Sequence, residues 1–264
     1  MFGLNSGESL PQELINSYQG WDVYMGHLWY NLVHFCNIKE NDTVIEVAPG
    51  SSSKIAQALA KVPFSGTLYV VEPHTKVIEV LKDSYKKWLP QATIIFINDL
   101  LEQALHKLPS KPDFILANHP LDDMLLSAPL TSDELDELFD WASDMSTATF
   151  DTTINAWKKL NNSIEQLTIS KAHVFNTWQT SVSRLKPKIM ILSQYPSYMM
   201  ESKGLSELNR WGWELLQGLA KTYKNQMISK PLVQTILNLH KNYNDPHLGL
   251  EILNAQYWLL LKDL

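Results

Sequence analysis

Val44 to Leu59 reads VIEVAPGSSSKIAQAL. The stretch begins in an apolar strand, Thr43 to Val47, and ends in a helix, SSKIAQALAKV, opened by serine. The turn between them has one glycine, Gly50, with Ala48, Ser52 and Ser53 around it. Taken alone, Pro49-Gly50 is ordinary turn chemistry and the serines are ordinary helix caps. The meaning of the turn depends on the elements downstream of it.

Those elements keep a rhythm. TLYVVE is a second strand, ending at Glu72. TKVIEVLKDSYKKWL is an amphipathic helix behind a Thr75 cap. TIIFI, Thr93 to Ile97, is a third strand, LLEQALHKL a helix, and DFILAN, Asp113 to Asn118, a fourth strand. Strands alternating with helices predict a parallel sheet covered on both faces.

The rhythm breaks after Pro120. TSDELDELFDWASDM reads as a helix with an acidic first turn, as the helix dipole favours. Thr147 to Leu185 reads as mostly polar helix with scattered aromatics, and KIMILSQYP resumes the sheet. Residues 127–186 are therefore expected to be a helical insertion between the fourth and fifth strands. Helices are expected at Leu205 to Tyr223 and Pro231 to Tyr243. In the tail, Leu248 to Leu253 and Gln256 to Lys262 read as an antiparallel hairpin joined at Asn254-Ala255. Upstream, Pro11 to Phe35 is an aromatic-rich helix, and residues 1–40 are expected to form an N-terminal helical cap on a single domain of 264 residues.

Composition narrows the function classes. The chain is 45% hydrophobic and 19% charged, enough apolar content for a sizeable core. A net charge of −6 argues against a broad nucleic-acid surface. The lone Cys36 excludes an internal disulfide and argues against a cysteine-built zinc site. There is no basic segment followed by an apolar run at the start, and no apolar stretch of membrane-spanning length. The expectation is a soluble cytoplasmic protein, with a homodimer as one option for its assembly.

Open parallel sheets bind ligands at the carboxyl ends of their strands. The first strand brings Glu46 and the turn to that end, the second Glu72, the third Asn98 and Asp99, and the fourth Asn118-His119-Pro120-Leu121 followed by Asp122-Asp123. Each of these residues has a local role open to it, as a cap, a turn or a solvated carboxylate. Their ordered succession, acid after acid, points to one crevice.

On these residues the chain resembles the class I S-adenosylmethionine-dependent methyltransferases, well over Thr43 to Asn118 and loosely in the tail. The resemblance implies an α/β fold with a doubly wound, mostly parallel, Rossmann-like sheet and a C-terminal antiparallel pair. In that family the first strand ends in an acid followed by G-x-G-x-G. Here the segment is Glu46, Val47, Ala48, Pro49, Gly50, Ser51, Ser52, and the middle glycine alone stands. By resemblance, the backbone of Ala48, Gly50 and Ser52 holds the methionine part of the cofactor, with Glu46 near its ammonium. Glu72 sits where an acid accepts both ribose hydroxyls. Asp99, with Leu100 beside it, sits at the adenine. Asn118 to Leu121 take the place of the NPPY-type motif beside the transferred methyl group.

A nicotinamide-dependent oxidoreductase also uses a strand–turn–helix, and its G-x-G-x-x-G would need Ala48, Gly50 and Ser53. Glu46, two residues before the turn, separates the two readings in favour of methyl transfer. The cofactor expected is S-adenosyl-L-methionine, and the acceptor a small molecule methylated at N or O. Asn118 could accept hydrogen bonds from an amine, and His119 could act as base for a hydroxyl. Asp122 and Asp123 are candidates for binding a substrate amine. Tyr24, His27 and Tyr30 share a broad helix face and are candidates for closing a pocket over the methyl group. No ligand spacing supports a metal. A non-catalytic cofactor-binding protein on the same fold, and an RNA or protein methyltransferase, stand as alternatives.

Overall fold

A computed structural model describes residues 18–130, 134–135, 138, 151–239 and 252–264. The first helix, α1, spans Tyr18–Phe35. Then β1 (Thr43–Val47), α2 (Lys54–Ala60), β2 (Thr67–Val71), α3 (Thr75–Trp88), β3 (Thr93–Ile97), α4 (Leu101–Ala104) and β4 (Phe114–Asn118) alternate. Between β4 and β5 (Ile189–Ser193) lie α5 (Leu121–Ser127), α6 (Asp151–Asn161) and α7 (Ile164–Leu185). The chain closes with α8 (Tyr198–Ser202), α9 (Ser206–Thr222), α10 (Lys230–Asn238), a 3-10 turn at Ala255–Tyr257, and β6 (Trp258–Lys262).

The six strands form one sheet in the order β3-β2-β1-β4-β5-β6, parallel except for β6, which runs antiparallel to β5. This is the doubly wound, mostly parallel sheet expected of a Rossmann-like fold. Alternating side chains feed two cores. Val44, Leu68, Val70, Leu116, Ile191 and Leu260 face α1, α2, α3 and α10. Ile45, Val71, Ile97, Ile115, Met190 and Leu259 face α4, α5, α7 and α9. Burial on both faces is why β4 and β5 read as nearly continuous apolar runs instead of alternating ones.

The antiparallel element expected at the C-terminus is present as the pairing of β6 with β5. Ile252 and Leu253 lie in a turn, and residues 248–251 are outside the described residues. The outer neighbour of β6 is Met227, through an isolated bridge to Leu261 flanked by Ile228 N–H to Leu260 O (2.9 Å) and Lys262 N–H to Gln226 O (3.0 Å). Those residues are too few to read as a strand.

The helix expected over Thr147 to Leu185 is broken at Asn162-Ser163, where Ser163 caps α7 by accepting from Gln166 N–H at 3.2 Å. Most of the helix read from TSDELDELFDWASDM, and the parts of the first and tenth helices before residue 18 and after residue 239, lie outside the described residues. Among the described residues no helix is long and apolar enough to cross a membrane.

Candidate functional site

The site starts at the turn after β1. Ala48 adopts φ +51° and Gly50 φ +59°, the left-handed region that favours glycine. Ala48 N–H donates to Val71 O (2.9 Å), which ties the turn to the end of β2. Gly50 N–H donates to Glu72 Oε2 (3.2 Å). A Cβ placed on Gly50 meets nothing within 4 Å, so the space beside that backbone is open.

Of the serines, Ser52 caps the start of α2, its Oγ accepting from Lys54 N–H at 3.4 Å, while the Ser53 side chain at the N-cap makes no cap bond. A second acceptor comes from α1. Asp22 takes Ser53 N–H on Oδ2 (3.1 Å) and the Ser52 hydroxyl on Oδ1 (2.9 Å). Gly26, one turn along α1, allows the two helices to approach. A Cβ there would stand 2.9 Å from Gln57 Cβ and 3.3 Å from Lys54 O. Asp22 carried no signal in the sequence, because the groups it caps lie 30 residues away.

Glu46 is buried, and it points into the first core with Val44. Tyr85 of α3 donates its hydroxyl to Glu46 Oε2 at 2.8 Å. Burial pushes the Glu46 carboxyl up to about 8, against the opposing pull of Tyr85 and Lys54. Glu72 is also buried. Its two oxygens accept one backbone N–H each, from Gly50 and from His74 (3.1 Å to Oε1). Burial pushes it up to about 7, and those two N–H groups oppose the rise.

The end of β3 is tied down separately. Asn98 accepts from the Thr75 hydroxyl (2.9 Å) and donates to Pro73 O (2.6 Å). Asp99 pairs with Lys107 at the surface, and Leu100 stands at the N-cap of α4.

After β4 the side chains lock together. Asn118 Oδ1 accepts from Trp29 Nε1 of α1 (3.0 Å) and from the Ser193 hydroxyl (3.2 Å). Its amide nitrogen donates to the Tyr195 hydroxyl (3.2 Å). His119 has φ +60°, and its N–H donates to Ser193 O (3.0 Å). Its ring lies between two acceptors: Asp122 Oδ1, 3.2 Å from Nδ1, and the Tyr195 carbonyl at Nε2. Burial works against charge on this ring, but Asp122, Asp123 and the Tyr195 carbonyl outweigh it, and the pKa is raised. A protonated ring can donate to both acceptors at once, and the raised pKa favours that form.

Asp122 is buried; its Oδ1 accepts from His119 and from Asp123 N–H (3.1 Å), and Oδ2 is buried with no hydrogen-bond partner among the described residues. The carboxyl of Asp123 is held well above the usual range, by burial first and then by Asp122 and Glu72, while His119 and Lys54 oppose. Lys54 is the cation among these acids, 4.0 Å from Asp22. The ends of β1, β2 and β4 thus meet in one buried, acid-rich crevice.

Three residues expected near it are elsewhere. Tyr24 is 1% exposed, inside the first core. His27 and Tyr30 gather around Lys61, beyond the far end of α2. Lys61 Nζ lies 3.1 Å from His27 Nδ1 and 5.8 Å from the Tyr30 ring centre. Burial, then Lys61, lowers His27 to about 4 and keeps it neutral. What α1 sends to the crevice instead is Asp22 and Trp29. The sequence reading missed these two, together with Lys54, Tyr85, Ser193 and Tyr195. Their spacing to the strand ends is non-local. Among the described residues no three metal-ligating side chains cluster.

No family model matches the chain, and no curated protein does. Among solved structures it is similar to TrmN from Thermus thermophilus, at 12% identity and a TM-score of 0.37, over 63% of this chain and 37% of that one. It is similar to magnesium protoporphyrin IX methyltransferase from Synechocystis with bound SAM, at 15% identity and TM-score 0.38, over 72% and 67%. A third is Aeropyrum pernix fibrillarin with natively bound S-adenosyl-L-methionine, at 14% identity and TM-score 0.36, over 75% and 66%. The chain spans little more than a third of the length of TrmN. Likenesses this distant say what the chain is like, and the reading of function rests on the crevice.

Proposed function

We propose that the protein transfers a methyl group from S-adenosyl-L-methionine to an N or O nucleophile of a small-molecule acceptor. The observation that carries this reading is the pairing of Glu72 with the turn after β1. Gly50 N–H and His74 N–H each occupy one Glu72 oxygen, and each oxygen keeps a lone pair for a ribose hydroxyl. The open space beside Gly50 gives a ligand room to approach the backbone.

The crevice also suits the charges of this cofactor. Glu46, Glu72 and Asp123 favour a cation, and Lys54 offers a partner for a carboxylate. Ala48, Gly50 and Ser52 would hold the methionine part, Glu72 the ribose, and Leu100 with Asp99 the adenine. When bound, the cofactor supplies a methyl group on a sulfonium sulfur, and the sulfur leaves as a neutral thioether. The chain aligns the acceptor and deals with its proton. Asn118, held by Trp29, Ser193 and Tyr195, fixes the floor beside the methyl group. Asp122 Oδ2 is the place for an acceptor N–H or O–H, and His119 holds Asp122 from the other side. Of the ranges 1–40 and 127–186, the described parts serve as cap and insertion around this single domain.

One observation favours a second reading, a cofactor-binding protein without catalysis. The Asn118 amide is already taken up by neighbouring side chains. Isothermal calorimetry with S-adenosylmethionine tests the shared premise. Binding at sub-millimolar concentration, weakened at least tenfold by Glu72→Gln, is expected, and no binding would sink both readings. A methyl-transfer screen with Asn118→Ala and Asp122→Asn then separates them. Loss of turnover with cofactor binding retained supports the enzyme. Turnover unchanged in both variants overturns the placement of the acceptor.

A further inference from the structure

The sheet ends at β3, and the way β3 ends it is unusual. Natural proteins blunt an outer strand with lysine, proline, a bulge or a cover. Thr93-Ile94-Ile95-Phe96-Ile97 contains no lysine and no proline, pairs with β2 in unbroken register, and leaves Ile95 37% exposed. Beside it lies a groove of about 400 Å³ lined by Thr75, Ile78, Glu79 and Lys82 of α3 with Phe96 and Asn98.

The hydrogen-bond pattern says which groups the edge presents. Thr93 N–H donates to Gly66 O (3.0 Å), and Ile97 O accepts from Glu72 N–H (3.1 Å). Thr93, Ile95 and Ile97 therefore turn their backbone groups toward β2. By alternation, the N–H and C=O of Ile94 and Phe96 point out of the sheet. Four such groups suit another strand, and an antiparallel copy of β3 offers the same four in return. The side chains agree. Ile94 and Phe96 pack under α3, while Ile95 stands on the opposite face.

We infer that β3 pairs with β3 of a second copy of this chain, antiparallel about a two-fold axis at Ile95, to give a continuous twelve-stranded sheet. Ile94 of each chain exchanges both backbone bonds with Phe96 of the other. Ile95 meets its symmetry mate as a non-hydrogen-bonded pair, the closer of the two pair types. On the α3 side, Glu79 and Lys82 are exposed and one turn apart. A two-fold axis sets Glu79 of each chain against Lys82 of the other, so the surface complements itself in charge as well as in backbone.

The test uses the full chain. Sedimentation at about 0.1 mM is expected to give twice the 30.2 kDa chain mass. A monomer there overturns the inference. Ile95→Cys is expected to form a covalent dimer on oxidation, seen on a non-reducing gel. The native Cys36 does not compete, since burial pushes its thiol up to about 12. A dimer by sedimentation that Ile95→Cys fails to cross-link places the interface elsewhere and also overturns it. Ile95→Lys sets like charges on the axis, and Glu79→Lys sets lysine against lysine. Each is expected to weaken the dimer at least tenfold, with circular dichroism unchanged as the check of folding. Glu79→Lys with Lys82→Glu is expected to restore it, and no restoration counts against the proposed register.

Discussion

Ala48→Gly is expected to make this protein more stable, although it removes a methyl group from a half-buried position. Three terms decide the sign. An L-residue held in the left-handed region costs about 1–2 kcal/mol, and Ala48 sits there at φ +51°. Glycine removes that strain, but its greater freedom in the unfolded chain returns about 0.4–1 kcal/mol. The Ala48 methyl is half-buried against the second core, so its loss costs about 0.4 kcal/mol, half a buried methylene. The central values leave a gain of about 0.4 kcal/mol. The reverse change two residues on isolates the backbone term. Gly50 has φ +59° with nothing within 4 Å of a new Cβ, so Gly50→Ala suffers no clash. The same strain less the same unfolded-state gain leaves it less stable by about 0.8 kcal/mol.

The two substitutions should therefore move thermal unfolding in opposite directions. For a chain of this size 1 kcal/mol corresponds to about 2–4 °C. Ala48→Gly should raise Tm by about 1 °C and Gly50→Ala should lower it by about 2–3 °C. Differential scanning calorimetry of the three proteins side by side resolves this. A fall of several degrees for Ala48→Gly would mean that the methyl does more packing than its position suggests. Unchanged stability for Gly50→Ala would mean that the turn does not hold positive φ at that residue.

Asp22→Ala removes the acceptor for Ser53 N–H and the Ser52 hydroxyl, and should cost about 1–2 kcal/mol in denaturant unfolding; no loss would show that Asp22 does not cap α2. Gly26→Ala drives a Cβ to 2.9 Å from Gln57 Cβ and should cost about 1–3 kcal/mol; the coupling to Gln57→Gly, which removes that Cβ, should recover part of the cost in a double-mutant cycle. Burial raises Glu46 to about 8 and Glu72 to about 7, so the folded chain binds more protons than the unfolded one between the ordinary carboxylate range and those values. Stability is then greatest at the acid side of that window and falls as pH rises through 7 and 8. Glu46→Gln should flatten the fall in Tm. By the same ionisation, calorimetry should find binding of S-adenosylmethionine and of its thioether product, which keeps the ammonium and the ribose, tightening together from pH 6 to pH 8. No tightening of either would exclude these acids as partners of those groups.

What the sequence made legible was whatever depends on near neighbours. The apolar runs placed β1 to β4 within a residue of their observed bounds, and the fifth, read as KIMILSQYP, overran β5 at its end by three residues. The succession Glu46, Glu72, Asn118 could be read because each stands at a strand end and the parallel order brings those ends together. The directions of the side chains could not be read. Tyr24, His27 and Tyr30 share a helix face in principle, yet the helix turns that face toward the core and Lys61. The rotation is set by Gly26, where α1 presses on α2, and by Asp22, which pins the start of α2. Neither residue announces a partner 30 positions away.

The missing glycines and the crowded polar groups have one physical origin. At the first position of the turn, Ala48 accepts strain that glycine would avoid. At the third, Ser52 can replace glycine because its hydroxyl finds Asp22 and so faces away from the open side of Gly50. Asp22 in turn is placed by α1, and the same helix sends Trp29 to Asn118. The turn is therefore not a self-sufficient glycine loop. It is held from outside by α1, and from beneath by Glu72 and Val71. Support of that kind lets two of three glycines go without opening the crevice. It also makes the crevice depend on α1: Asp22 and Trp29 connect the N-terminal helix to both halves of the site, so a change in that helix should be felt at Gly50 and at Asn118 together.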